Sequence, residues 1–276
     1  WARATAAEQR LLTGVLLGEV RMGALTGLVT DALARATDRP LEQVRRAVML
    51  SGSLGHTAYL ARSGADLREV GLTVGTPVQP MMAATVATVA DAVALTGAAS
   101  VEAKLDGARI QVHRRGGPGT AVQVFTRSLA EITDRVPEIV AAVGGFPGGA
   151  LILDGETLAL DEDGGPRPFQ DTMSRFGAEA TRAQLLRPWF FDVLHAQGRD
   201  LLDEPLSVRR EVLAAVVGEQ LIRAVETADP IVAEAFSAQM LAAGHEGVVV
   251  KALTAPYAAG RRGKHWLKVK PVLTYD

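Results

Sequence analysis

Residues 74–80, Val-Gly-Thr-Pro-Val-Gln-Pro, divide the chain into two kinds of sequence. Two prolines and a glycine in so short a stretch continue neither a helix nor a central strand. Before this break, apolar residues recur at helical spacing. After it, they come in short alternating runs separated by turn residues. A chain with one pattern on each side folds as a helical segment followed by a mixed α+β region. The expected organisation is therefore an all-α domain over 1–75 and a second domain over 76–276.

In the first part, Leu11-Leu12, Val15-Leu16 and Val20 share a helical face, as do Leu25, Leu28-Val29 and Ala32-Leu33. Asp38-Arg39-Pro40 with Glu42 reads as a helix start. In the second part, strands are expected at 109–113, 122–125, 151–158, 189–194, 247–251 and 266–270. Helices are expected near 130–143, 207–217 and 231–243. Strands and helices do not alternate regularly, so the sheets are expected to be antiparallel.

Cations are distributed unevenly. Only five of the 29 basic residues are lysines. Lys104 stands alone, and Lys251, Lys264, Lys268 and Lys270 lie near the C-terminal end. Arginine stays protonated in proteins, whereas a lysine amine can lose its proton and attack an electrophile. The pattern points to a covalent lysine site and a second cluster suited to an anion. The net charge of −2 means that phosphate binding must come from local patches. With no cysteine, disulfides and thiolate metal sites are excluded. No uncharged apolar run reaches membrane-spanning length, and no signal-type start is present. The Ala/Arg/Gly/Val-rich composition is compatible with a bacterial cytosolic protein. The start at Trp1 reads as a fragment.

Lys104 lies in Glu102-Ala103-Lys104-Leu105-Asp106-Gly107-Ala108-Arg109. Strand alternation would place Glu102, Lys104 and Asp106 on one face, and Gly107 permits a tight turn beside them. A lysine between acids is also a common solvated ion pair.

Lys104-Leu105-Asp106-Gly107 resembles the Lys-x-Asp-Gly motif of covalent nucleotidyltransferases, which comprise ATP-dependent DNA ligases, RNA ligases and capping enzymes. The family's further motifs follow in order: Phe125-Thr126-Arg127, Leu153-Asp154-Gly155-Glu156, Phe190-Phe191-Asp192, Glu246-Gly247-Val248-Val249-Val250-Lys251 and Trp266-Leu267-Lys268-Val269-Lys270. Asp154-Gly155 is equally a hairpin signal, and Phe191 equally a core aromatic. The resemblance is strongest to the mycobacterial type of ATP-dependent DNA ligase with an N-terminal helical DNA-binding domain, which Arg21–Val29 and Pro77–Met81 resemble. Capping enzymes and small RNA ligases lack that domain.

The resemblance implies a nucleotidyltransferase (ATP-grasp-like DNA ligase) core of two antiparallel sheets with flanking helices. It implies ATP as nucleotide donor, with AMP as the covalent intermediate, and magnesium as metal. Lys104 becomes the nucleophile, with Asp106 positioning or deprotonating it. Glu102 and Phe191 would hold adenine, and Glu156 the ribose. Arg109, Arg127 and Arg262 would contact sugar and phosphates. Lys251, Lys268 and Lys270 would contact phosphate, and Glu156 and Glu246 would face the metal. Arg209 is a weaker candidate for DNA contact, and Lys264 a bystander. His113, His195, His245 and His265 lack ligand spacing and read as structural. The implied partner is nicked duplex DNA, met by a monomer at the nucleoid in the cytoplasm. RNA ligation, capping and a non-catalytic nick-binding module are the alternatives. The pattern stops before the family's C-terminal OB domain, and the link from Gly177 to Arg187 reads short.

Overall fold

The structure, a computed structural model, describes residues 26–161 and 186–270, with 4–6, 8, 9, 12, 13, 167, 170 and 172. The helical faces expected around 11, 15–16 and 20–25, and the short link at 177–186, fall largely or wholly outside them. Two compact units are distinguished, 1–48 with 53–70 and 49–52 with 71–276.

In the first unit, α1 (Thr26–Ala36), α2 (Leu41–Ser51) and α3 (Leu54–Ser63) follow one another, α2 extending past the unit's edge. Pro40 precedes the first residue of α2, and Asp38 takes a left-handed turn at φ 50°. Ser53 caps α3 by accepting from the His56 N–H at 3.1 Å. Gly64 ends it at φ 84°, donating to the Leu60 carbonyl. Ala34, Val44, Ala47, Ala61 and Leu67 form the small core.

The second unit contains two five-stranded sheets. The first has the order β1 (Met82–Thr85), β10 (Arg262–Val269), β9 (Val248–Ala252), β2 (Ala99–Ala103), β8 (Ala224–Thr227). The second has the order β4 (Val122–Thr126), β3 (Ala108–Arg114), β5 (Leu151–Ala159), β6 (Leu186–Ala196), β7 (Arg199–Asp200).

Helices α4 (Val89–Thr96) and α7 (Pro230–Ala242) cover the first sheet, where Val93, Ala233 and Met240 pack with Val101, Val250 and Leu267. Helices α5 (Pro137–Gly144) and α6 (Leu206–Val217) cover the second, where Ile139, Val143 and Leu213 pack with Ile110, Val112 and Val193. Each sheet thus has its own apolar core.

Three expectations change. The pair β1–β10 is parallel, not antiparallel. The strands start together because the chain is fastened there: Gly260 N–H donates to the Gln79 carbonyl at 3.0 Å, and Met82 N–H to Arg261 at 2.9 Å. The helix expected from 130 begins at Pro137. Before it, Ile132 N–H bonds back to Val124 in β4 at 2.8 Å, and proline, lacking an N–H, suits the first helical position. Asp154-Gly155 is not a hairpin; β5 runs straight through it with a shift of register towards β6. A side chain at Gly155 would collide with the Phe190 ring, whose Cδ1 lies 2.7 Å from the Cβ position. Close strand packing, not turning, requires that glycine.

Candidate active site

A cavity of about 780 Å³ lies between the two sheets. Its wall includes Glu102, Lys104, Arg109, Arg127, Glu156, Phe191, Lys251, Arg262 and Lys268. Asp106, Glu246 and Lys270 are gathered beside Lys104 instead of lining it.

The expected face of Glu102, Lys104 and Asp106 does not form, because β2 ends at Ala103 and the other two lie on the loop to β3. Main-chain bonds hold this loop: Lys104 N–H donates to Gly247 O at 2.9 Å, and Glu246 N–H to Lys104 O at 3.1 Å. Two glycines make the approach possible. At Gly107 a Cβ would sit 2.7 Å from Leu158 Cδ2. Gly247, at φ 134°, has its Cβ position blocked by the Val269 carbonyl.

The Lys104 ammonium is ion-paired with one Glu246 oxygen, and Lys270 Nζ holds the other at 2.9 Å. Burial works to raise the Glu246 carboxyl, but hydrogen bonds and charge from Lys104 and Lys270 outweigh it and leave it below its usual range. Asp106 is pushed up, first by burial and then by the Glu246 charge. Glu156 is pushed up to about 8 by burial, against the pull of Arg109 and Lys104. Lys268 is lowered by burial and by neighbouring Lys270, Lys104, Arg262 and Arg127. One end of the cavity is therefore crowded with cations.

The other end is built from paired charges. Lys251 Nζ lies 2.6 Å from Glu102 Oε2 and 4.1 Å from the ring centroids of both Phe191 and Trp266. Arg210 Nη1 donates to Glu102 Oε1 at 2.8 Å. Between the two ends, Arg109 makes a two-pronged bond to Asp154, at 3.0 and 2.7 Å, and donates to Met81 O at 2.7 Å. Tyr257 O–H also donates to Asp154, at 2.6 Å. Lys251 thus stands with Glu102 and the aromatic rings, while the cations around Lys268 form a separate group.

Among the described residues, no group of three or more His, Asp and Glu side chains stands ready to hold a metal. Glu156, however, has a raised carboxyl and accepts no hydrogen bond from a described residue, while facing the cavity. Its oxygens, and those of Glu246 once released by Lys104 and Lys270, are hard donors of the kind that suit magnesium, an ion that fills most of its shell with water and phosphate oxygens.

Arg209 is a correction. It is wholly buried and gripped by Asp192 at 2.7 and 2.9 Å, with Nη1 donating to Glu204 O and Ala255 O. It cannot reach DNA from there. Its neighbour Arg210, one helical step round α6, points to Glu102. Sequence reasoning missed Arg210, and also Arg135, Tyr257 and Trp266, which shape or line the site. The doublet Arg209-Arg210 on a helix, with acids inside apolar strands at Asp192 and Glu102, was the available signal.

The model for the family described as "ATP dependent DNA ligase domain" matches residues 80–270. A probable DNA ligase of Pseudarthrobacter chlorophenolicus is 63% identical over all of this chain and 54% of its own length. One of Nocardia farcinica is 51% identical over all of this chain and 57% of its own. The chain therefore spans about half the length of the curated relatives it matches. Among solved structures, a mycobacterial DNA ligase D complexed with ATP and MES superposes with a TM-score of 0.56 at 28% identity, covering 69% of this chain and 59% of that one.

Proposed function

The chain belongs to the ATP-dependent DNA ligase family, and from that premise we propose that it carries the nucleotidyl-transfer centre of an enzyme that seals nicks in duplex DNA. One observation supports this most. The amine of Lys104, the lysine set apart in the sequence, stands at a cavity whose one end gathers Lys268, Arg262 and Arg127.

Lys104 Nζ attacks the α-phosphorus of ATP. An N–P bond forms, the bond to the bridging oxygen breaks, and pyrophosphate leaves with the electron pair. The amine must first shed its proton, and Asp106 and Glu246 are the adjacent carboxyls able to relay it. In the second step a 5′-phosphate oxygen at the nick attacks the adenylyl phosphorus, and Lys104 regains its proton as the N–P bond breaks. In the third, the adjacent 3′-hydroxyl gives its proton to solvent and attacks the nick phosphorus; the new P–O bond forms as the bond to AMP breaks, and AMP leaves with the electron pair.

Negative charge grows on phosphate oxygens in each step, where Lys268, Lys270, Arg262 and Arg127 supply fixed positive charge. Glu102 and Phe191 take the adenine, with Glu156 and Arg109 at the ribose. Lys251 serves as counter-ion to Glu102 in this arrangement. Glu156 and Glu246 would hold magnesium, which when bound supplies further charge neutralisation at the phosphates. Helices α1 to α3 belong to a DNA-binding unit in this reading. Nicked duplex is the partner, and the setting is a monomer at the bacterial nucleoid. Among the described residues, no helix is long and apolar enough to cross a membrane.

The test is incubation with ATP and magnesium, followed by intact mass and peptide mapping. One adenylyl group is expected on Lys104, removed by pyrophosphate, transferred to the 5′-phosphate of added nicked duplex and not formed from GTP. An adduct that persists in Lys104→Arg overturns the assignment. Transfer to nicked RNA in preference to DNA would favour RNA ligation.

A further inference from the structure

Glu102 is almost completely buried, 2% exposed, yet it lines the cavity. A buried carboxylate is costly unless its lone pairs are met. An ionised carboxylate has about four acceptor positions. On Oε1, Arg210 Nη1 donates at 2.8 Å and Ser100 Oγ at 3.0 Å, which fills that oxygen. On Oε2, Lys251 Nζ stands at 2.6 Å, which leaves one position open. Lys251 is itself committed: besides Glu102 it reaches Phe191 O at 3.4 Å and lies against two aromatic rings. Arg210 is anchored from outside by Glu226, at 3.0 Å from its Nε.

We propose that Arg210 is a positioning residue that sets the base preference of this site, by occupying one oxygen of Glu102 so that a single acceptor position on the other faces the ligand. One acceptor matches the exocyclic 6-amino group of adenine, a donor. It opposes the 6-oxo group of guanine, an acceptor, which would leave a buried carboxylate lone pair against an oxygen. Arg210 touches no substrate and acts through Glu102. This rests on the reading that adenine lies at Glu102.

The test is titration calorimetry with ATP and with purine riboside triphosphate, which lacks the 6-amino group. Wild type is expected to prefer ATP by roughly tenfold or more, the scale of a hydrogen bond to a charged group. In Arg210→Met the preference should fall to within about threefold, through weaker ATP binding and not tighter analogue binding. Arg210→Lys, which restores one charged donor, should recover part of it. If wild type prefers ATP and Arg210→Met does so equally, the adenine placement stands and the positioning role is overturned. A variant that weakens both ligands alike also overturns it, by showing a purely structural part. Wild type with no preference overturns the adenine placement, and the proposal with it. Should Arg210→Met not fold, Glu226→Gln is read in its place: it frees Arg210 from its anchor and should narrow the preference, and an unchanged preference counts against the proposal.

Discussion

Lys104 and Glu246 are joined twice: their side chains form an ion pair, and Glu246 N–H donates to the Lys104 carbonyl at 3.1 Å. The main-chain bond fixes the spacing of the two backbones, so the side chains meet without a search. A paired ammonium has no free lone pair and is not yet a nucleophile. Glu246 therefore holds the amine in place, and in the proposed reaction the same carboxylate is the group from which the amine must be released. Lys270, on the other Glu246 oxygen, offers the carboxylate a second partner when Lys104 departs.

Lys104→Arg keeps the cation and removes the proposed nucleophile. Adenylylation should fall to background while affinity for ATP stays within about tenfold, because charge at the site is retained. Glu246→Gln keeps the shape and removes the charge, and should slow single-turnover adenylylation by roughly 100-fold. Mass spectrometry of the adduct against time measures both, and adenylylation of Glu246→Gln at the wild-type rate would remove Glu246 from the chemistry.

Lys104, Glu246 and Lys268 were legible as candidates through the uneven lysine distribution and the motif resemblance, and the fold brings Lys104 to Glu246 and Lys268 to the cavity. Strand alternation was a poorer guide, because β2 ends at Ala103 and leaves Lys104 and Asp106 on a loop. The all-antiparallel expectation failed at β1–β10, since parallel pairing depends on where residues 79–82 are fastened to 260–261, a contact across the whole domain. Arg209 and Arg210 were indistinguishable as sequence. A rotation of about 100° on a helix separates them, and only the positions of Asp192 and Glu102 decide which turns inward to which. Lys251 looked like its neighbours Lys268 and Lys270, but strand β9 lies next to β2, which carries Glu102. Burial and partner, invisible in a motif, separate Lys251 from Lys268 and Lys270.

Arg209 and Asp192 are a buried pair with no solvent on either side chain. Removing one partner strands the other. Arg209→Met should destabilise the protein by about 3–5 kcal/mol. Arg209→Met with Asp192→Leu should recover much of that loss but not all, because Glu204 O and Ala255 O still lose their donor. Urea unfolding of the two variants checks this. Equal losses in both would mean that the pair itself carries the stability.

Lys268 is lowered by burial and by four neighbouring cations, so an anion in the cavity relieves its surroundings. Lys268→Met should weaken ATP binding by roughly tenfold or more, the scale of a lost charge-assisted hydrogen bond. The loss should shrink for adenosine, which has no phosphate. Calorimetry with the two ligands checks it, and equal losses for both would move Lys268 away from the phosphates.

His113 supplies a pH dependence remote from the cavity chemistry. Its ring is buried on β3, where Nδ1 accepts the Gly75 N–H at 2.8 Å and Nε2 meets Gln111 Oε1 at 2.9 Å. The Gly75 donor requires a lone pair on Nδ1, so the ring is neutral with its proton on Nε2. Protonation would set one N–H against another. Burial, helped by the charge of Arg115, lowers the imidazole from 6.5 to about 3. Between those values the unfolded chain binds a proton that the folded chain refuses, so stability is present above 6.5 and is lost as pH falls towards 3. The full slope for one proton is about 1.4 kcal/mol per pH unit. His113→Gln keeps an acceptor and a donor but does not titrate in this range. Its stability between about pH 6.5 and pH 4 should therefore fall less steeply than wild type, by up to about 1.4 kcal/mol per unit. Urea unfolding across that range measures the difference, and parallel slopes in the two proteins would show that His113 is protonated without cost.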